Sequence, residues 1–472
     1  MSLAKRLLKC CGAASKVARA FCFVMSAAAV AGPAAAQAPT PDTAEETRVI
    51  SRQVLQLIQA SKWAEAEVLA KKGLALCENA GSVKIFCESQ FNESLGDIAS
   101  AQARHSEALA YHQHALRTRV TNLDAGHSLI ASSHLRVGHS YFALGRNDEA
   151  EIALKSAVAG FERLTPVNRA LGRALSGLGR IFINSKRFEE AIAVGRRAVD
   201  VYIASDGIDA RTVSIEKTEV AIALLGFSNQ LYIKKDFAGA EKQVKEAIQS
   251  VELLSAGHVS NTSRIVLRRS FSLLGLLYRD QGQYDSAEKP ALRALELTDR
   301  PDDDLPAVLA NLALIYSQWG KPAKSIPYAI QAISVLEERK QENVWLGNAL
   351  HALGMSQTDL GSYKDAETAL VRAIEVFDRT APEQTVNRRN ARSSLGHLLT
   401  YTGRYHEAEQ AYQSALAIPQ TFALQRSPIL AGLALIYRDT ARYGEAKKLL
   451  LEAIPMEEAA GAERASELGM PG

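Results

Sequence analysis

The chain has 472 residues, 47% hydrophobic and 23% charged, a balance that excludes an intrinsically disordered protein. Its 55 lysines and arginines stand against 52 acids, a formal net charge of +3. The cationic excess sits at the N-terminus, so composition gives no reason to expect a nucleic-acid partner.

In chain order, the first element is a basic lead: Lys5, Arg6, Lys9, Lys16 and Arg19, with no acid. The apolar run AFCFVMSAAAVAG follows from Ala20 to Gly32, and then PAAAQAPTP. This order predicts a cleavable signal peptide over residues 1–36, with Ala34 and Ala36 as the small residues before a cut at Ala36/Gln37. A retained membrane anchor is the alternative, but the run has 13 residues, short for crossing a bilayer. Removing the leader's five cations takes the net charge from +3 to −2. No later stretch reaches the apolar length of a membrane helix. The expected location is therefore the periplasm or outside the cell, without stable membrane insertion after cleavage. Three of the five cysteines lie in the leader; Cys77 and Cys87 remain. An even pair in an exported chain points to a disulfide, with two small buried thiols as the alternative.

After a short linker (37–46), the rest of the chain repeats. A small residue recurs at Ala66, Ala108, Ala150, Ala191, Ala240, Ala287, Ser325, Ala366, Ala408 and Ala446. Twelve or thirteen residues before most of these markers stands Leu-Gly or a variant of it, as at Leu178-Gly179, Leu274-Gly275 and Leu353-Gly354. A bulky residue follows three positions later, such as Tyr141, Phe182, Tyr278 or Tyr316. Spacings of three and four place these on one helical face. Glycine costs about 1 kcal/mol of helix propensity there, so its recurrence predicts a second helix packed closely against bare backbone. Gly145, Gly282, Gly320, Gly361 and Gly403 mark turns, and an aromatic commonly opens the next helix. Seven residues after each marker comes a second small residue, Gly73 in the first unit and alanine in every other, from Ala115 to Ala453. Seven residues are close to two helical turns, so both small residues face one neighbour. A period near 42 residues predicts an all-α solenoid of about ten helix-turn-helix units. Units 1–4 span 47–204, units 5–10 span 205–456, and 457–472 is a tail. The wider spacing around the fifth unit predicts longer helices or an irregular joint, with Ser205 to Lys217 the candidate for a bend.

LGLLYRDQGQYDSAEKPALRAL and LANLALIYSQWGKPAKSIPYAIQAI resemble tetratricopeptide repeats, in the longer form found in kinesin light chain. The resemblance covers roughly Arg48 to Met456 and implies a right-handed superhelix. Ser325 for the marker alanine, Pro322 for the aromatic and Phe227-Ser228 for Leu-Gly depart from the pattern.

Enzymes leave constellations, and none is found. HSEAL at His105 lacks the second histidine of a zinc-protease helix. ALSGL at Ser176 lacks the first glycine of a nucleophile elbow. Gly320-Lys321 has no phosphate-loop glycine before it. Six histidines (His105, His112, His114, His127, His134 and His139) crowd two units, but a metal needs three or four convergent ligands, and His105 is expected in a turn. The acidic triplet Asp302–Asp304 reads as a solvated run. The expectation is no catalytic residue, no cofactor and no metal.

The resemblance implies a concave groove lined by the first helix of each unit and occupied by peptides. Carried over by position, its lining is Arg173, Ser176, Arg180 and Asn184, then Asn229 and Tyr232, then Arg269, Ser272 and Arg279. Asn311, Leu314 and Gln318 follow, then Asn348, His351 and Met355, then Asn390, Ser393 and His397. Amides suit a partner's backbone and arginines suit carboxylates, so an acidic or C-terminal peptide segment is the expected partner. The reading is a non-enzymatic protein-binding scaffold of the bacterial cell envelope. The rival is the recognition half of a split or truncated system with a caspase-like peptidase, because similar exported arrays often precede such a domain. Self-association through the array ends is a further possibility, although EAKKLLLEAIPMEEA suits a terminal cap.

Overall fold

A computed structural model describes residues 41–164, 168–254, 260–298, 304–419 and 426–467. The predicted signal peptide and Asp302–Asp303 of the acidic triplet lie outside the described residues. The chain divides into two compact units, Met1–Ala125 and Gly126–Gly472. All regular structure among the described residues is helical.

The first unit holds two hairpins. Helix α1 (Pro41–Gln59) pairs with α2 (Trp63–Leu76), and α3 (Lys84–Ala101) pairs with α4 (His105–Asn122). Two short 3-10 turns, Cys77–Asn79 and Gly81–Val83, join them. The sulfurs of Cys77 and Cys87 stand at bonding distance, 1.95 Å, across this junction. His105 opens α4 instead of lying in a turn, so it shares that helix with His112. The His112 ring is buried over Gly96, where a Cβ would meet it at 2.2 Å.

The second unit continues with eight hairpins. They are α5 (Ser128–Ala143) with α6 (Asn147–Leu164), α7 (Arg169–Asn184) with α8 (Phe188–Ala204), and α9 (Ala210–Ile233) with α10 (Phe237–Glu252). Next come α11 (Asn261–Asp280) with α12 (Tyr284–Glu296), α13 (Leu305–Gln318) with α14 (Pro322–Glu338), and α15 (Val344–Asp359) with α16 (Tyr363–Thr380). The last are α17 (Thr385–Tyr401) with α18 (Tyr405–Leu416), and α19 (Ser427–Asp439) with α20 (Tyr443–Glu467). Within this unit each odd helix packs on its even partner, each even helix on the next odd one, and successive odd helices touch each other. The wide spacing around the fifth hairpin is helix length: α9 has 24 residues and α11 has 20. One hydrophobic core cluster has buried members on both sides of Ser205–Lys217, including Tyr202 and Val220, with Ile208 and Val213 packed against it.

The small-residue positions form the seam. Ala66, Ala108, Ala150, Ala240, Ala287, Ser325, Ala366 and Ala408 are fully buried, and Ala191 and Ala446 nearly so. The second set is buried as well, from Gly73 and Ala115 to Ala453. Where glycine stands opposite the marker it permits close approach, as at Gly354, where a Cβ would lie 2.6 Å from the Leu370 side chain and 3.2 Å from the Ala366 carbonyl. Serine at either side of this contact is accommodated by one hydrogen bond. Ser228 donates to the Ala240 carbonyl and Ser325 to the Ala313 carbonyl.

Every odd helix ends in one left-handed residue, five positions before the marker. Gly145, Gly282, Gly320, Gly361 and Gly403 hold it where the sequence predicted turns. Ser61, Ala103, Lys186, Lys235 and Ala441 hold it at the other five hairpins, with φ between 57° and 67°. The next N–H closes the cap, as Arg146 N to Tyr141 O at 3.0 Å and Arg187 N to Phe182 O at 2.8 Å.

The last helix is a weaker cap than its sequence predicts. Leu450, Leu451 and Ile454 remain exposed on α20, with Tyr443 at its start.

Candidate functional site

The odd helices of the second unit carry the polar side chains to which a groove was assigned. Arg173 and Arg180 project from α7, Asn229 from α9, Arg269 from α11 and His397 from α17, all exposed. Tyr232 and Arg279 are half-buried, and Asn311, Asn348 and His351 are buried. Part of the predicted lining is therefore structural: the polar groups of Tyr232, Asn348 and His351 are engaged by neighbouring odd helices.

The geometry of each is specific. His351 Nε2 lies 2.9 Å from Ser394 Oγ on α17. The Asn348 side-chain carbonyl accepts from Asn387 at 3.2 Å. Tyr232 donates to Asp280 at 2.6 Å, and Arg279 pairs with the same carboxylate at 2.6 Å. Arg269 shares Asp304 with Arg268. His397 meets the Tyr401 ring edge-on at 4.7 Å. The Tyr232, Asn348 and His351 contacts join neighbouring odd helices and Arg269 reaches the residue ahead of α13, while Arg279–Asp280 and His397–Tyr401 lie within one helix each.

The α5–α9 stretch is different in character. Arg180 pairs with Glu219 at 3.3 Å, while no hydrogen bond or ion pair holds the Arg173 side chain among the described residues. His139 on α5 packs near α7, its Nε2 3.2 Å from where a Cβ on Gly177 would stand. Burial, and then the charges of Arg173, Arg180 and Arg136, pull the His139 pKa down to about 4. Below α7, Ser176 donates to the buried Glu216 carboxylate at 2.6 Å and lies 3.3 Å from Tyr202 OH. Burial pushes the Glu216 pKa up. The result is a cationic, partly desolvated patch with an exposed guanidinium free to grip a carboxylate. Reading first-helix positions found Arg173, Ser176 and Arg180. It missed Arg136 and the role of His139, which sits four positions nearer the turn than the register used for Ser176.

Among the described residues no group of three or more His, Cys, Asp or Glu is placed to hold a metal ion. No described helix is long and apolar enough to cross a membrane.

Models of the tetratricopeptide repeat match residues 87–163, 129–204 and 345–421, 267–300 and 306–335, together more than half the chain. The chain is a tetratricopeptide-repeat protein. No curated protein matches it in sequence. Among solved structures, this repeat protein is similar to RapI in its apo form, with 11% identity over 79% of this chain and 98% of that one and a TM-score of 0.50. The apo quorum sensor NprR from B. thuringiensis shares 13% identity over 79% of this chain and 99% of its own, TM-score 0.44. BtubC (BKLC) from P. vanneervenii shares 17% over 50% and 90%, TM-score 0.35. At such identities the likeness to RapI speaks for the helical-repeat fold alone.

Proposed function

We propose that this tetratricopeptide-repeat protein is an exported, non-enzymatic scaffold that holds an acidic or C-terminal peptide segment along the odd helices of its second unit. The observation that carries this reading is Arg173: exposed, unpaired among the described residues, and, with Arg180 and Arg136, one of the cations whose charge, after burial, holds the His139 pKa down. A guanidinium already holding an acid has little left to offer a ligand, whereas a free one in a partly dry patch binds carboxylate in fork geometry. The predicted leader supports export to the cell envelope, and an oxidising compartment would suit the Cys77–Cys87 pair.

Photo-crosslinking groups test the surface. They are placed singly at Asn229 and His397 on the odd helices, and at Thr368 on α16, in the full chain expressed with its leader. Adducts from Asn229 or His397 that are lost on Arg173→Ala/Arg180→Ala support the reading. Adducts confined to Thr368 overturn it.

A further inference from the structure

The fourth residue after each marker lies in the crevice between its own odd helix and the next one. Leu154 on α6 shows this: Cβ atoms on Gly138 of α5 and on Gly177 of α7 would meet its side chain at 2.7 and 2.9 Å. At all nine earlier hairpins the residue in this place is buried, as Val244, Leu370 and Tyr412 are. In the tenth it is Leu450, and it is 42% exposed. Ile454, one turn on, is 49% exposed, and Tyr443, about two turns earlier, is exposed as well. Spacings of three and four put Tyr443, Lys447, Leu450, Ile454 and Glu457 on one face of α20. This is the face that a further odd helix would cover.

The neighbouring segments stand elsewhere. Arg426, just ahead of α19, pairs with Glu452 at 2.8 Å, and Glu452 is about 200° round the helix from Leu450. The end of α20 at Glu467 is about 25 Å along the axis from Leu450, and residues 468–472 span at most roughly 18 Å, too little to reach it.

Charge decides what fits this face. Inside the array, the acid that follows a marker binds the arginine four residues before the next marker: Glu67 with Arg104, Glu151 with Arg187, Glu367 with Arg404 and Glu409 with Arg442, at 2.6 to 3.0 Å. In α20 the residue after the marker is Lys447, and the first hairpin carries Lys62 in the arginine's place. A second copy added head to tail would therefore set cation against cation. The face is instead complementary to itself. Two α20 helices laid antiparallel, with the twofold axis at the level of residue 452, bring Lys447 against the partner's Glu457 and Leu450 against the partner's Ile454, each twice, as an isologous contact requires. A parallel pair would set Lys447 on Lys447. Both charges are exposed, and no ion pair engages either among the described residues.

We infer that α20 is a self-association surface, on which two copies of this chain join as a twofold dimer through antiparallel α20 helices. The surface is separate from the α5–α9 patch and does not depend on the reading given to it.

Sedimentation velocity of the full mature chain, from about 1 to about 300 µM, tests this, since a single helix pair is a small interface and calls for micromolar association. The wild type should pass from monomer to dimer and go no further. Lys447→Glu and Glu457→Lys each set like charges together at both pairs, and each should weaken the dimer about tenfold or more. Mixed with one another, the two variants regain both pairs and should form a heterodimer about as tight as the wild-type dimer. Leu450→Ser/Ile454→Ser, at exposed positions, should keep its helical circular dichroism and remain a monomer. A wild type that stays monomeric over the whole range overturns the inference, as does one that grows beyond two copies. A dimer that persists in folded Leu450→Ser/Ile454→Ser overturns it too. If that variant does not fold, the charge variants decide: recovery of the dimer on mixing supports the inference, and no recovery overturns it.

Discussion

The Ser228 hydroxyl of α9 donates to the Ala240 carbonyl of α10 at 2.7 Å, and both residues are fully buried. Two hairpins later the arrangement is mirrored: Ser325, in the marker position, donates to the Ala313 carbonyl of the partner helix at 2.8 Å. The two helices cross so closely that only hydrogen, methyl or a hydroxyl with an acceptor fits between them. A serine there satisfies its own polarity and leaves the crossing distance alone.

That contact predicts an asymmetry between substitutions. Ser325→Ala, which loses one buried hydrogen bond but fits the seam, should cost about 1 kcal/mol. Ala150→Leu, which forces the crossing apart, should cost about 1–3 kcal/mol or more. Denaturant titration followed by circular dichroism measures both, and equal costs would contradict the seam.

The left-handed turns predict gains as well as losses. Lys186 and Ala103 hold φ of 57° and 58°, a conformation that costs a side-chain-bearing residue roughly 1–2 kcal/mol. Lys186→Gly and Ala103→Gly should each stabilise by up to about 1 kcal/mol, the unfolded glycine's extra freedom offsetting the rest. Gly145→Ala should destabilise by a similar amount. Melting temperatures of the three variants decide the matter.

Acid stability follows from buried histidine. Burial, and then the charge of Arg279, bring the His351 pKa down to about 4. The unfolded value is about 6.5, so the unfolded chain takes up a proton that the folded chain refuses. Stability from this group is complete above pH 6.5 and is lost as pH falls towards 4, by on the order of 2–3 kcal/mol. His139, also at about 4, acts in the same direction. Glu216, whose pKa burial raises, acts in the opposite one, favouring the fold while it is protonated. His351→Gln should flatten the slope of stability between pH 6.5 and 4, and an unchanged slope would remove His351 from the account.

The sulfurs of Cys77 and Cys87, 10 residues apart in sequence, face each other at the junction of the two hairpins of the first unit. We propose that they are oxidised in the exported protein. A loop of that size is worth roughly 2–3 kcal/mol in the chain-entropy model. Reductant should therefore lower the unfolding midpoint of the wild type and leave that of Cys77→Ala/Cys87→Ala unmoved. Free-thiol titration of the exported protein counts the oxidised fraction directly.

Much of the fold was legible because small residues have one use at a helix crossing. Ala150, Ala157, Ala366 and Ala373 could be assigned from spacing alone, and all four are fully buried. The turns were half legible. Glycine announces a positive φ, but Lys186 and Lys235 adopt one under tertiary constraint against their own preference. The candidate site was harder. Helical register placed Arg173, Asn348 and His351 on the same kind of face, yet only packing decides which of them reaches solvent. Asn348 and His351 are consumed by Asn387 and Ser394 of the next odd helix.

The most direct test of the central claim is the affinity of the mature protein for a labelled peptide with an acidic, free C-terminus, measured by fluorescence anisotropy. The account predicts saturable binding that weakens as salt is raised, and at least about tenfold weaker binding for folded Arg173→Ala/Arg180→Ala, since a charge-assisted bond contributes roughly 1.5–3 kcal/mol. Equal affinity of wild type and double variant, or no binding by the wild type, would contradict it.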